Sequence, residues 1–162
     1  MTDPEHIYWD SCVFIRYLTQ QPTDMVSDIE AYLNDALAGK RKIYYSTITF
    51  VEVRKSLLNN TEVGSLPDFI NDMERAFYAI EPNPNIMIMA GDIRDCAPTN
   101  PSDSKTSNQR TIGTPDAIHL ATCLYARHTL GVSDIVFQTF DNGKGKTWEG
   151  KCVPLLTLER WY

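Results

Sequence analysis

The chain is short of positive charge. Its 15 Lys and Arg residues face 21 Asp and Glu, leaving a net charge of −6. That excludes a protein that grips nucleic acid through a broad basic face. It leaves open an enzyme whose acidic site recruits positive charge as a bound cation. No apolar run is long enough to span a bilayer, and Met1-Thr2-Asp3-Pro4-Glu5 lacks the charged-then-apolar pattern of a secretory leader. No membrane association and a cytoplasmic location are therefore expected, and the sequon Asn59-Asn60-Thr61 should be inert. The four cysteines, Cys12, Cys96, Cys123 and Cys152, form no C-x-x-C pair, and three lie in apolar stretches. Buried thiols are expected, not disulfides or a zinc site.

Familiar ligand-binding motifs are also missing. Gly145-Lys146-Thr147 resembles the end of a phosphate-binding loop, but Phe140 stands where the leading glycine belongs. Gly143-Lys144-Gly145 has no third glycine for a dinucleotide. Asp10-Ser11-Cys12 lacks the second aspartate of a haloacid-dehalogenase-type phosphatase. His119 stands three residues after Asp116 and so can point near it, but with no second helical histidine at ligand spacing it reads as a packed helix residue; His6 and His128 offer nothing specific.

What is present is an alternation of short apolar runs and amphipathic segments. Ile7-Tyr8-Trp9 reads as a buried strand with Asp10 at its carboxyl end, followed by a helix over Ser11–Leu18. A second helix is expected over Asp24–Ala38, ended by Gly39. Ile43-Tyr44-Tyr45 is a second strand, and Ser46 or Thr47 caps a helix over Ile48–Leu58. Further elements follow: a helix over Leu66–Phe77, a short strand over Tyr78–Ile80, and a helix over Asn85–Cys96. Ala97–Gly113 is a polar connection with little to bury. It leads into Thr114-Pro115-Asp116-Ala117-Ile118-His119-Leu120-Ala121-Thr122. There Thr114 is read as the cap and Pro115 as the first helical residue, with Asp116 in the first turn and Gly131 beyond the end. Ile135-Val136-Phe137 is a strand leading to Thr139-Phe140-Asp141, and Val153–Leu156 is a last edge strand. Strand followed by helix, several times over, predicts a three-layer α/β/α sandwich with a central, mainly parallel sheet, built as one domain over 1–162.

Four acids stand out within that frame: Asp10, Glu52, Asp116 and Asp141. Two follow strands, one opens a helix, and Glu52 sits among Phe50, Val51 and Val53. Carboxyl ends of parallel strands and the starts of the following helices share one edge of a sheet, so all four can converge. Each has a plainer alternative: Asp10 as a helix cap, Asp116 as a dipole-friendly first-turn acid, Glu52 as a surface partner of Lys55. Convergent carboxylates repel and need a cation, and an all-oxygen set favours Mg²⁺ or Mn²⁺. Such ions suit phosphodiester hydrolysis, because they activate a water and offset the charge on phosphate and leaving oxygen.

On Asp10, the Ser46-Thr47-Ile48-Thr49-Phe50-Val51-Glu52-Val53 stretch, the Thr114-to-Thr122 stretch and Phe137-Gln138-Thr139-Phe140-Asp141, the chain resembles a PIN domain, and most closely the VapC-type toxin ribonucleases. The Pro-Asp-Ala-Ile-His-Leu-Ala run is the most specific of these. The resemblance implies a Mg²⁺- or Mn²⁺-dependent endoribonuclease with Asp10, Glu52, Asp116 and Asp141 as its acidic, metal-holding cluster. It implies Ser46 or Thr47 and Thr139 as supporting polar groups, RNA as substrate, a homodimer, and inhibition by a small antitoxin. The long Ala97–Gly113 segment departs from a compact member. The competing readings are a PIN fold reduced to a binding module and a phospho-acceptor receiver domain; the latter needs a strand-end lysine opposite the acids, and none is evident.

Overall fold

The computed structural model describes residues 4–23, 25–95 and 113–140. Four strands, β1 (His6–Trp9), β2 (Lys42–Ser46), β3 (Phe77–Ile80) and β4 (Val136–Gln138), form one sheet in the order β3-β2-β1-β4. Every pairing is parallel, with Ile7 opposite both Ile43 and Val136, and Tyr8 opposite Tyr44 and Phe137. The helices among the described residues are α1 (Ser11–Thr19), α2 (Val26–Leu37), α3 (Thr49–Glu52), α4 (Leu66–Asp72), α5 (Pro84–Asp95) and α6 (Thr114–His128).

The sheet separates two apolar layers because side chains alternate along a strand. Ile7 and Trp9 point to one face, packing with Phe14 of α1, Leu33 of α2 and Phe69 of α4. Tyr8 points to the other, with Ile86 and Ala90 of α5 and Ala121 and Leu124 of α6. Burial on both faces is why β1 reads as an unbroken apolar run. The result is the expected α/β/α arrangement. Strand β1 lies between β2 and β4, so the chain leaves it toward opposite sides of the sheet. The carboxyl end of β1, where Asp10 stands, is thus a topological switch point, the place where open α/β sheets gather ligand groups.

Local chemistry accounts for most element ends. Gly39 takes φ +75°, its N–H bonds to Ala36 O at 3.0 Å and that of Lys40 to Asp35 O at 2.9 Å, which closes α2 with the two bonds of a Schellman turn. Ser65 caps α4, accepting from Asp68 N at 3.2 Å. Asn83 Oδ1 accepts from Ile86 N at 3.1 Å at the start of α5, with Pro84 in the first turn.

Three expectations are corrected. Thr114 does not cap α6: it is already helical, and Gly113, in an extended conformation, stands at the cap with no side-chain bond. The helix expected over 48–58 stops at Glu52. Val53 leaves the helical region (φ −87°, ψ 77°) with its side chain buried, and a separate 3₁₀ turn follows at Lys55–Leu57. The helix expected to reach Phe77 ends at Asp72, and a 3₁₀ turn at Glu74–Ala76 delivers Phe77 to the sheet opposite Ile43. In both cases a buried apolar residue serves the core better outside the helix, and periodicity alone does not register that. The edge strand expected over 153–156 lies outside the described residues.

Phe14 is fully buried, with ring centroids 5.3 Å from Trp9, 5.8 Å from Tyr45 and 5.5 Å from Phe77. Phe14→Ala should lower stability by roughly 3–5 kcal/mol, whereas Val51→Ala, at an exposed position, should stay within about 0.5 kcal/mol. Urea unfolding of the two variants checks this; equal losses would mean that the aromatic cluster is not the centre of this layer.

Candidate functional site

Asp10 ends β1 and caps α1. Its Oδ1 accepts from Ser11 N at 2.7 Å, and its Oδ2 accepts from Thr139 Oγ1 at 2.7 Å. The Cys12 thiol also reaches Oδ2, at 3.4 Å, and accepts from Phe140 N at 3.2 Å. The cap geometry, α1 and the segment after β4 therefore fix one carboxylate together. Burial, then the nearby charge of Asp10, pushes the Cys12 thiol up to about 12, so it remains a protonated donor and is no nucleophile.

Glu52 comes to the same place from the end of α3. Its Oε2 accepts the Ser11 hydroxyl and lies 2.6 Å from His119 Nε2. That ring nitrogen is also 2.9 Å from Ser11 Oγ and 3.5 Å from Asp10 Oδ1. The other ring nitrogen, Nδ1, is 2.8 Å from the Tyr8 hydroxyl. Tyr8 is itself buried and stacked on Phe137, with centroids 5.3 Å apart. One ligand atom each from Asp10, Glu52 and His119 lies within 4.8 Å of the others.

The electrostatics follow from this geometry. Burial is the largest influence on His119 and alone would drive its proton off. The Glu52 hydrogen bond and the charges of Asp10, Glu52 and Asp116 outweigh it, holding the imidazole's proton above the ordinary 6.5. Burial likewise disfavours ionised Glu52, but His119 and Ser11 overcome it and keep the carboxyl below its ordinary 4.5.

Of the residues singled out from the sequence, Asp10 and Glu52 are brought together, with a ligand atom of each within 4.8 Å and Ser11 and His119 linking them. Asp116, half-buried in the first turn of α6, acts on the cluster through its charge on His119. Thr139 holds Asp10. Ser46 is buried and turned to its own chain, accepting weakly from Ile48 N at 3.4 Å, while the Thr47 N–H bonds to Ile80 O at 3.1 Å. Asp141 lies outside the described residues. His119 is packed, as expected, and the alternative that it points near the site holds too, since it is the hub of the cluster; Ser11 and Tyr8 have no counterpart in the sequence reading. The usable signal for His119 was its position three residues after Asp116, on one side of an apolar helix where a buried imidazole requires partners.

Compared with protein-family models and with curated proteins, the chain matches none.

Two carboxylates and an imidazole this close could hold a divalent cation once the imidazole gives up the Nε2 proton, and Ser11, Thr139 and Tyr8 orient them from behind. An imidazole nitrogen thus stands beside two of the acids of the all-oxygen cluster expected from sequence.

In chelator, the His119–Glu52 pair should leave a pH signature. The histidine's contribution to stability is complete below about 6.5 and fades as pH rises through its raised value; the glutamate's is complete above about 4.5 and fades as pH falls through its lowered value. The melting-temperature difference between the parent and His119→Gln should therefore peak between those limits, with roughly 2–4 °C for each kcal/mol involved. A difference independent of pH from 3 to 9, a range of about ±2 units around those limits, would remove the ion pair from the account.

Proposed function

We propose that the chain is a metal-dependent endoribonuclease of PIN type, the toxin member of a toxin–antitoxin pair. The observation that carries this reading is the meeting of Asp10 and Glu52 at the carboxyl end of β1, with the charge of Asp116 close enough to act on the same imidazole. In this reading Asp10, Glu52, Asp116 and Asp141 hold Mg²⁺ or Mn²⁺. The ion supplies Lewis acidity and charge to offset the scissile phosphate.

The chain's own residues set the stage. Thr139, Cys12 and the first N–H of α1 fix Asp10 from three sides, so that carboxylate reaches the ion without reorganising. Ser11 and His119 hold Glu52 in the same way. Arg16 lies over the Phe140 ring, 3.6 Å from its centroid, at the side of the site from which Phe140 N reaches Cys12. It is a suitable contact for an RNA phosphate. An overall charge of −6 repels a polyanion elsewhere, so substrate binding is confined to the place where cations collect. Dimerisation and an antitoxin that inserts an Arg among the acids belong to the same proposal.

Cleavage of single-stranded RNA by the purified chain should require Mn²⁺ or Mg²⁺ and stop in excess EDTA. Asp10→Asn should reduce the rate by about 100-fold or more while leaving the circular dichroism spectrum unchanged. Undiminished cleavage in EDTA, after a mock purification has excluded contaminating nuclease, would overturn the reading.

A further inference from the structure

We propose that His119 Nε2 is itself a ligand to the divalent cation, alongside Asp10 and Glu52, and that this nitrogen biases the site toward first-row transition ions over Mg²⁺. The inference rests on the metal reading of the cluster above and adds to it a donor that a set of four carboxylates lacks.

Position is the first argument. His119 Nε2 lies 2.6 Å from Glu52 Oε2 and 3.5 Å from Asp10 Oδ1, so an ion that reaches both carboxylates meets the ring nitrogen as well. His119 is completely buried, in the middle of a helix packed on the sheet, and cannot swing aside to make room.

The second argument is independent of the acids and comes from the other side of the ring. A ligating imidazole commonly gives its second N–H to a fixed partner, which sets the tautomer and aims the free nitrogen. The Tyr8 oxygen stands 2.8 Å from Nδ1. Its own ring is locked between the layers, stacked on Phe137 and edge-on to the imidazole at 5.9 Å. Ligation exchanges the proton between Nε2 and Glu52 for the ion, releases that proton to solvent, and leaves the Nδ1–H donated to Tyr8. The charge of the three groups then rises from −1, two carboxylates and an imidazolium, to zero, two carboxylates, a neutral imidazole and the divalent ion.

Donor chemistry then sets selectivity. Mg²⁺ favours an all-oxygen shell and keeps its waters, whereas Mn²⁺, Fe²⁺, Co²⁺ and Zn²⁺ accept imidazole, with affinity rising along that series to cobalt.

The test uses the full-length protein and Mn²⁺ alone, read by electron spin-echo modulation. Protein grown with ¹⁴N-histidine should show directly coordinated nitrogen, and protein grown with ¹⁵N-histidine should show the ¹⁵N pattern instead. No substitution is needed, so folding is not at issue. The other histidines are remote: His6 is bonded to Asp134 at the opposite end of β1, and His128 is about 14 Å along the helix axis at 1.5 Å per residue. As a second measurement, His119→Gln should weaken Mn²⁺ binding by about 10–100-fold and Mg²⁺ binding by far less. Bound Mn²⁺ without histidine coupling would overturn the ligand assignment while leaving the metal centre standing. Failure to bind Mn²⁺ at millimolar concentration would overturn both.

Discussion

The contact between His119 Nε2 and Glu52 Oε2 is the constraint on which the site depends. It joins α6, in one helical layer, to the segment that follows β2, across the carboxyl edge of the sheet. An ion pair between a buried imidazole and a half-buried carboxylate is a poor source of stability, since desolvation of the charges offsets much of their attraction. The free energy that holds it therefore comes from elsewhere, from the two apolar layers that fix β1, β2 and α6 before the pair can form. Removing Glu52 would leave the imidazolium buried and uncompensated, which is more damaging than never having built the pair, whereas the half-buried Glu52 keeps some contact with water when His119 is removed. That asymmetry accounts for the supporting contacts: Ser11 shares both partners and Tyr8 closes the back of the ring.

The same logic explains why a short strand can organise so much. β1 has four residues, yet it supplies Ile7 and Trp9 to one layer, Tyr8 to the other, and Asp10 to the site. Period-two alternation makes the division unavoidable. Shifting the register by one residue would turn the Tyr8 hydroxyl away from His119 and drive the Trp9 indole into the layer of α5 and α6. Trp9 Nε1 donates to Gln138 Oε1 at 2.8 Å, pinning β4 in the register that brings Thr139 to Asp10. Core packing and site geometry are thus a single constraint in this sheet, and substitutions in the core of β1 are expected to be felt at Asp10.

Much of this was legible in the sequence. The unbroken apolar runs of β1 and β2, the Gly39 stop, and the proline at the start of α6 gave the layer order and placed Asp10 at a strand end. Boundaries set by tertiary demand were not legible. Val53 and Phe77 both leave helices that their own periodicity would continue, because a buried site in the core outweighs another turn of a marginal helix. His119 was legible as a packed residue able to point near Asp116, but not as the hub of the cluster. Its partners arrive from positions 108, 111 and 67 residues away in sequence, and no local pattern encodes those meetings. Asp10 and Glu52 are ordinary acids locally, and only the topology of the sheet makes them neighbours.

Charge ties the site to the rest of the molecule. With a net charge of −6, the protein repels a polyanion that comes within a Debye length of its surface, about 8 Å at physiological salt. In the proposed reaction the ion and the RNA phosphate therefore cannot bind independently. The ion would offset the carboxylates that the phosphate meets, and the phosphate would supply the ion with further oxygen donors. By linkage, whatever factor the ion adds to RNA affinity the RNA must add to ion affinity. In that proposal, a cluster of only moderate affinity for metal would be an advantage, because the complete site would be assembled where substrate is present. The buried imidazole supports this economy of charge. In the absence of metal its proton partly offsets the two carboxylates, and the site can wait without a cation and without unfolding the edge of the sheet that carries it.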